Sequence, residues 1–173
     1  MKKIKEKKFI DKRLLESGIV LAAAALGLIS LLFTVVRGGI EYLLDSEFYF
    51  SNGFTLAFSG YPVIVDEFGV WLRIYAAIHF AIALGIILAL GVFALVKHSF
   101  NFGRLGIAAV ITSASLSLLY MVHGIIAYSF AADYAAEPYE CSTAAFIPFI
   151  LSTVLTVAFF LVKYKAPEKI EIS

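Results

Sequence analysis

Apolar positions along the chain gather into four long runs with almost no charge inside them. Gly18 to Val36 gives nineteen uncharged residues; Trp71 to Val96 follows, with Arg73 at its rim and an uncharged core from Ile74 onward apart from one histidine; Leu105 to about Ala127 and Ala144 to Val162 complete the set. At about 1.5 Å rise per residue each run crosses a hydrocarbon core of about 30 Å, so the pattern predicts an all-α four-transmembrane-helix bundle over 1–173 as one membrane domain. The first run is too long for the apolar region of a signal peptide, and Val35-Val36-Arg37-Gly38-Gly39 offers no small-x-small cleavage pattern, so it reads as a retained span. The link from Lys97 to Arg104 is short enough to make spans two and three antiparallel neighbours. Pro148 falls in the first turns of the last span, where a missing N–H costs least.

The outer loops, 37–70 and 128–143, read differently. Phe48-Tyr49-Phe50-Ser51 and Phe54-Thr55-Leu56-Ala57-Phe58 flank Asn52-Gly53, a pair able to take the positive φ values of a tight hairpin turn. This predicts a small β-hairpin in the first outer loop, with Tyr49 opposite Leu56 and Phe50 opposite Thr55. A third run, Tyr61 to Val65, has Pro62 near its start, as suits an edge strand. The competing reading is an irregular aromatic loop lying on the membrane interface.

Composition narrows the function classes. Mean hydropathy is +0.92, with 61% hydrophobic and 16% charged residues, against roughly half and about a quarter in soluble domains. A soluble enzyme, a disordered tail and a nucleic-acid module are thereby excluded, and the net charge of +1 gives no sign of a polyanion partner. The single cysteine, Cys141, excludes an intramolecular disulfide and the paired thiols of a disulfide-exchanging enzyme.

Charge sets the expected orientation. The arm 1–17 carries Lys2, Lys3, Lys5, Lys7, Lys8, Lys12 and Arg13, the loop 97–104 carries Lys97 and Arg104, and the tail 163–173 carries Lys163, Lys165 and Lys169. The outer loops hold Glu41, Asp45, Glu47, Asp66, Glu67, Asp133, Glu137 and Glu140, with Arg37 and Arg73 at their membrane edges. By the positive-inside rule both termini are cytoplasmic and the chain sits in the plasma membrane. The outer face is then net negative, which attracts cations without specifying a cation site.

Inside the spans chemistry is sparse. No Asp or Glu lies in any of the four runs, which argues against a proton- or sodium-coupled antiporter. His79 and His123 remain, with Tyr75 at i−4 and Tyr120 at i−3, so each imidazole shares a helix face with a phenol. With Arg73 above them they form a candidate outward polar pocket. It reads first as two neutral histidines bonded to neighbouring groups, then as a small-ligand pocket, then as a bis-histidine haem or metal site. Thr112, Ser113, Ser115, Ser117 and Ser152 lie within spans, unlike a serine nucleophile on an exposed turn. Ala109, Ser113 and Ser117 form one small-residue packing stripe, and Ala77, Ala81, Gly85 and Ala89 a clearer one, expected to pack within the bundle. Tyr42, Trp71, Tyr128, Tyr139 and Tyr164 suit interfacial anchors. No catalytic residue, metal site or cofactor is assigned.

Four spans, both ends inside, a long first outer loop with a hairpin and a short second one resemble the layout of claudin-like four-span proteins. Their Trp, Gly-Leu-Trp and paired-Cys loop signature has no counterpart here, since the loop has no Cys and Trp71 heads span two. The layout implies a left-handed bundle with a small sheet docked on its outer end. The functional expectation is a non-catalytic accessory or interaction subunit. Its partners are the lipid bilayer and another membrane or extracytoplasmic protein, with room for a homo-oligomer, and its partner surface is Phe48, Tyr49, Phe50, Phe54, Leu56 and Phe58. The alternatives are a small transporter, channel or ligand-binding protein using the histidine pocket, and a haem-containing redox protein.

Overall fold

The computed structural model describes residues 8–32, 34–42, 45–52, 67–134, 140–141 and 146–172, with side chains placed over 11–32, 74–123, 125–126 and 146–168. A short strand β1 (Lys8–Asp11) leads into α1 (Lys12–Ile29), which tightens into a 3₁₀ turn (Ser30–Leu32). Strands β2 (Thr34–Tyr42) and β3 (Asp45–Asn52) follow, then α2 (Glu67–Lys97), α3 (Gly103–Tyr134), β4 (Glu140–Cys141), α4 (Phe146–Lys165) and β5 (Lys169–Ile172). Four of these helices are long and apolar enough to span a membrane, over Lys12–Leu32, Ile74–Lys97, Gly103–His123 and Phe146–Lys165.

Helix boundaries follow local chemistry. Asp11, in extended conformation, caps α1 by accepting from the Arg13 N–H at 2.8 Å. The first helix therefore starts at Lys12, ahead of the expected Gly18, and helical structure stops at Leu32 rather than Val36. Thr34-Val35-Val36 is β-branched and Gly38-Gly39 follows, so the sequence there favours strand over helix. His98 takes a left-handed φ of 47° and ends α2 directly after Lys97, a cation suited to the negative end of the helix dipole. Tyr128 to Tyr134, expected in the second outer loop, continue α3. At 32 residues α3 is about 48 Å long and exceeds the hydrocarbon thickness.

The distribution of side chains is that of a protein in lipid. Ser17, Ser30, His79, Ser113, Ser117 and Ser152 are buried, whereas Ile78, Leu88, Val92, Leu95, Ile150 and Val154 face outward. Water penalises that arrangement on both counts; hydrocarbon outside the bundle removes the penalty for the second and makes inward-facing polar groups the rule. Small residues at the helix contacts, among them Ala23, Ala24, Ala76, Ala83 and Ala109, let the backbones approach closely.

Within the bundle α1 packs against each of the other three helices. The spans of α1 and α3 are 39% buried and those of α2 and α4 only 17%, which makes α1 and α3 the central pair. The core near the terminal end comprises Val20, Ala23, Ala24, Leu90, Phe102, Ala109, Val110 and Phe159. Two close approaches fix the central pair. A Cβ placed on Gly27 would lie 3.1 Å from Ser113 Oγ and 3.2 Å from Ser113 Cβ, and one on Gly106 would lie 3.1 Å from a Val20 methyl.

Two small sheets close the ends. β1 and β5 pair antiparallel, with Asp11 opposite Lys169 and Ile10 opposite Ile170, and the Lys12 N–H donates to the Glu168 carbonyl at 3.1 Å. Both terminal segments thus lie at one end of the bundle, joined to each other. At the other end the strand order is β3-β2-β4, all antiparallel, with Val36 opposite Cys141, and β2 and β4 lie against α3. The partner of Phe48, Tyr49 and Phe50 is β2, at Gly39, Gly38 and Arg37. The expected second strand of the hairpin, Phe54 to Phe58, the Gly53 half of its turn and the Tyr61–Val65 run lie outside the described residues.

Candidate functional site

Three helices bring polar groups together inside the bundle, near the ends of the spans that lead to β2 and β4. On α1 the Ser30 hydroxyl, at the start of the 3₁₀ turn, donates to the Gly27 carbonyl at 2.8 Å. On α2, His79 is fully buried, and its Nε2 lies 2.9 Å from that same carbonyl and 3.2 Å from Ser30 Oγ. A carbonyl can only accept, which assigns a proton to Nε2; in the neutral imidazole Nδ1 is then the acceptor. The Tyr75 hydroxyl, one turn earlier on α2 and 3.3 Å from Nδ1, donates to it. Both ring nitrogens are thereby engaged.

α3 contributes Tyr120 and His123. The buried Tyr120 ring meets His79 edge to face at 5.7 Å between centroids, and the half-buried His123 stacks on Tyr75 at 3.7 Å with the planes 10° apart. His123 Nδ1 faces the Leu119 carbonyl, one turn back on its own helix, and so acts as donor. Four of the five residues of the predicted polar pocket thus come together: Tyr75, His79, Tyr120 and His123. The side chain of Arg73 lies outside the described residues.

Sequence reasoning missed the α1 side of the cluster. Gly27 and Ser30 supply the carbonyl and hydroxyl that hold His79, and the legible signal was Ser30, a polar residue in the otherwise apolar stretch from Gly18 to Phe33. The rotation of α2 was also misread. Ala77, Ala81, Gly85 and Ala89 face outward, and the buried ridge is Ala76, His79, Ala83 and Leu90, one residue out of step. Turning the alanine stripe inward would leave the imidazole facing lipid, where an unpaired polar group costs several kcal/mol, about 2–7. His79 therefore sets which face of α2 meets the bundle. The stripe Ala109, Ser113 and Ser117 on α3 is buried, and Ser117 donates to the Ser113 carbonyl at 3.0 Å.

The donor set does not suit a bis-histidine iron site. Such a site needs an unprotonated nitrogen from each imidazole aimed at one metal, whereas His79 spends Nε2 on a carbonyl and Nδ1 on a phenol, and the Tyr75 ring contacts both imidazoles. Among the described residues no group of three or more His, Cys, Asp or Glu side chains is placed to hold a metal ion. The backbone of Phe48, Tyr49 and Phe50 is placed in β3, while Phe54, Leu56 and Phe58 lie outside the described residues. No protein-family model matches the chain, and neither a curated protein nor a solved structure was found to be similar to it.

Proposed function

We propose that this chain is a plasma-membrane protein with both termini cytoplasmic, acting as a non-catalytic accessory or interaction subunit through its outer loops and helix faces. The observation that carries the reading is the register of the outer strands. Phe48 and Tyr49 stand opposite Gly39 and Gly38, which have no side chains with which to cover an aromatic neighbour. Cross-strand side-chain pairs stabilise a sheet, and the register with β2 offers none at these two adjacent aromatic positions. Aromatic positions without a side chain opposite them are candidates for an interaction surface. His79 supports the non-catalytic part, because both its ring nitrogens are taken up by partners within the bundle.

The test replaces Phe50 or Phe58 by Ser and compares membrane abundance with recovery of co-purifying protein from native membranes. Reduced recovery at unchanged abundance is the expected result. Unchanged recovery, or loss of the protein itself, assigns these aromatics to the fold alone. The second reading, a small transporter, channel or ligand-binding protein, draws on the half-buried Tyr75–His123 stack within the spans. Solute flux in liposomes that is abolished by His123→Ala would favour it over the first.

A further inference from the structure

We propose that a cleft at the terminal end of the bundle binds the phosphodiester headgroup of an anionic phospholipid. The cleft, of about 220 Å³, is lined by Arg13, Leu14, Ser17, Ser99, Phe100 and Asn101. Its walls are fixed by hydrogen bonds. The single proton of the buried Ser17 hydroxyl is shared between the carbonyls of Arg13 (2.7 Å) and Phe100 (2.6 Å), which pins the α2–α3 connection to the first turns of α1. The left-handed residues His98 and Gly103 bracket that connection, and the Asn101 N–H donates to Ser99 Oγ at 3.1 Å, holding the segment in a tight turn.

The lining divides into two chemistries. Among the described residues the Arg13 guanidinium and the Asn101 side-chain amide have no hydrogen-bond or ion-pair partner, and with the Ser99 hydroxyl they supply a cation and neutral donors suited to a phosphate. The nearby carboxylates are already committed: Glu16 lies 3.7 Å from Lys163 Nζ, and Asp11 caps α1. Beside the polar groups, Leu14 is 66% and Phe100 61% exposed. A free anion gains nothing from them, whereas the glycerol and acyl region of a phospholipid does. The site lies where such a molecule is found, at the level where the first apolar turns of α1 meet the polar end of the bundle. Lys12, Lys97 and Arg104 occupy the same end and add to the attraction for anionic headgroups.

The test uses the full chain in detergent and native mass spectrometry, with phosphatidylglycerol or phosphatidylcholine as the added probe. The expected result is preferential retention of phosphatidylglycerol, reduced about five-fold by Arg13→Gln, the worth of one basic contact at a membrane surface. Lys165→Gln, which removes a charge from the same end away from the cleft, leaves retention unchanged. Should Arg13→Gln fail to fold, Asn101→Ala and Phe100→Ser carry the same comparison from the polar and apolar sides. Equal retention of the two lipids, or equal losses for Arg13→Gln and Lys165→Gln, overturns the proposal. Inorganic phosphate should not displace the lipid; displacement assigns the cleft to a free anion and also overturns it.

Discussion

Replacing Gly27 by Ala isolates the contact on which the central helix pair depends. Without an obstacle, Gly to Ala in a helix interior stabilises by about 0.5–1 kcal/mol, because the backbone has less freedom to lose on folding. Here the new methyl meets Ser113 at three atoms: Oγ at 3.1 Å, Cβ at 3.2 Å and Cα at 3.4 Å. The hydroxyl can rotate away, but Cβ and Cα are fixed by the α3 backbone, so relief requires the helices to separate by a few tenths of an ångström. Overpacking of this kind costs about 1–3 kcal/mol, which outweighs the gain in propensity and leaves a net loss of about 1 kcal/mol. The shift also moves the Gly27 carbonyl from His79 Nε2, adding part of a buried hydrogen bond, about 1 kcal/mol, to the loss.

The assay is reversible unfolding in mixed micelles, followed by helical circular dichroism. Gly85→Ala is the internal control, because nothing lies within 4 Å of a Cβ placed there and the propensity term acts alone. Gly27→Ala should therefore destabilise while Gly85→Ala stabilises. Exchanging the pair, Gly27→Ala with Ser113→Gly, should recover part of the loss through a positive coupling, since residues in contact are not additive. If Gly27→Ala stabilises as much as Gly85→Ala does, or if the double variant is simply additive, the tight α1–α3 contact is refuted.

Three further outcomes follow from the same geometry. Tyr75→Phe removes the donor to His79 Nδ1 and should cost about 0.5–1.5 kcal/mol in the unfolding assay, with the protein still inserted. Ser113→Ala should be neutral or stabilising, because among the described residues Ser113 Oγ is the buried side-chain atom without a hydrogen-bond partner; a loss above about 1 kcal/mol would show that the hydroxyl is satisfied after all. His79→Ala and His123→Ala should both insert and leave the visible absorption spectrum featureless, and a Soret band lost on either substitution would restore the redox reading.

Much of the bundle was legible because lipid imposes one simple demand, that about twenty apolar residues recur four times, and the sequence meets it openly. The ends were less legible. Lys8-Phe9-Ile10-Asp11 and Lys169-Ile170-Glu171-Ile172 are too short and too mixed in polarity to announce strands, and their pairing is a long-range contact between the two ends of the chain. The junction after Leu32 was misplaced because Val35 and Val36 are as hydrophobic as the span they follow, and hydropathy does not register that β-branched residues and paired glycines favour a strand. The rotation of α2 was misread for a related reason. A stripe of alanines states that close approach is possible, whereas a single buried imidazole states where it must occur.

The pairing of β1 with β5 bears on orientation, the one property for which composition gives the main argument. An even number of spans places both ends on one side whatever the fold, but it does not join them. Here β1 and β5 join the two ends of the chain that the structure describes, which brings the backbone of Lys8 and Lys12 to the same end of the bundle as Lys165 and Lys169, and these charges act on the same choice of side. Cys141 lies in β4, in the sheet at the other end, opposite Val36. The expected outcome is that Cys141 reacts with an impermeant maleimide on intact cells while tags at both termini react only after permeabilisation. Neutralising Lys2, Lys3, Lys5 and Lys7 together should weaken this bias without abolishing it, because the tail and the Lys97–Arg104 connection still carry basic charge. Labelling of Cys141 only after permeabilisation, with both tags reached from outside, would reverse the orientation and with it the assignment of the outer sheet as the partner surface.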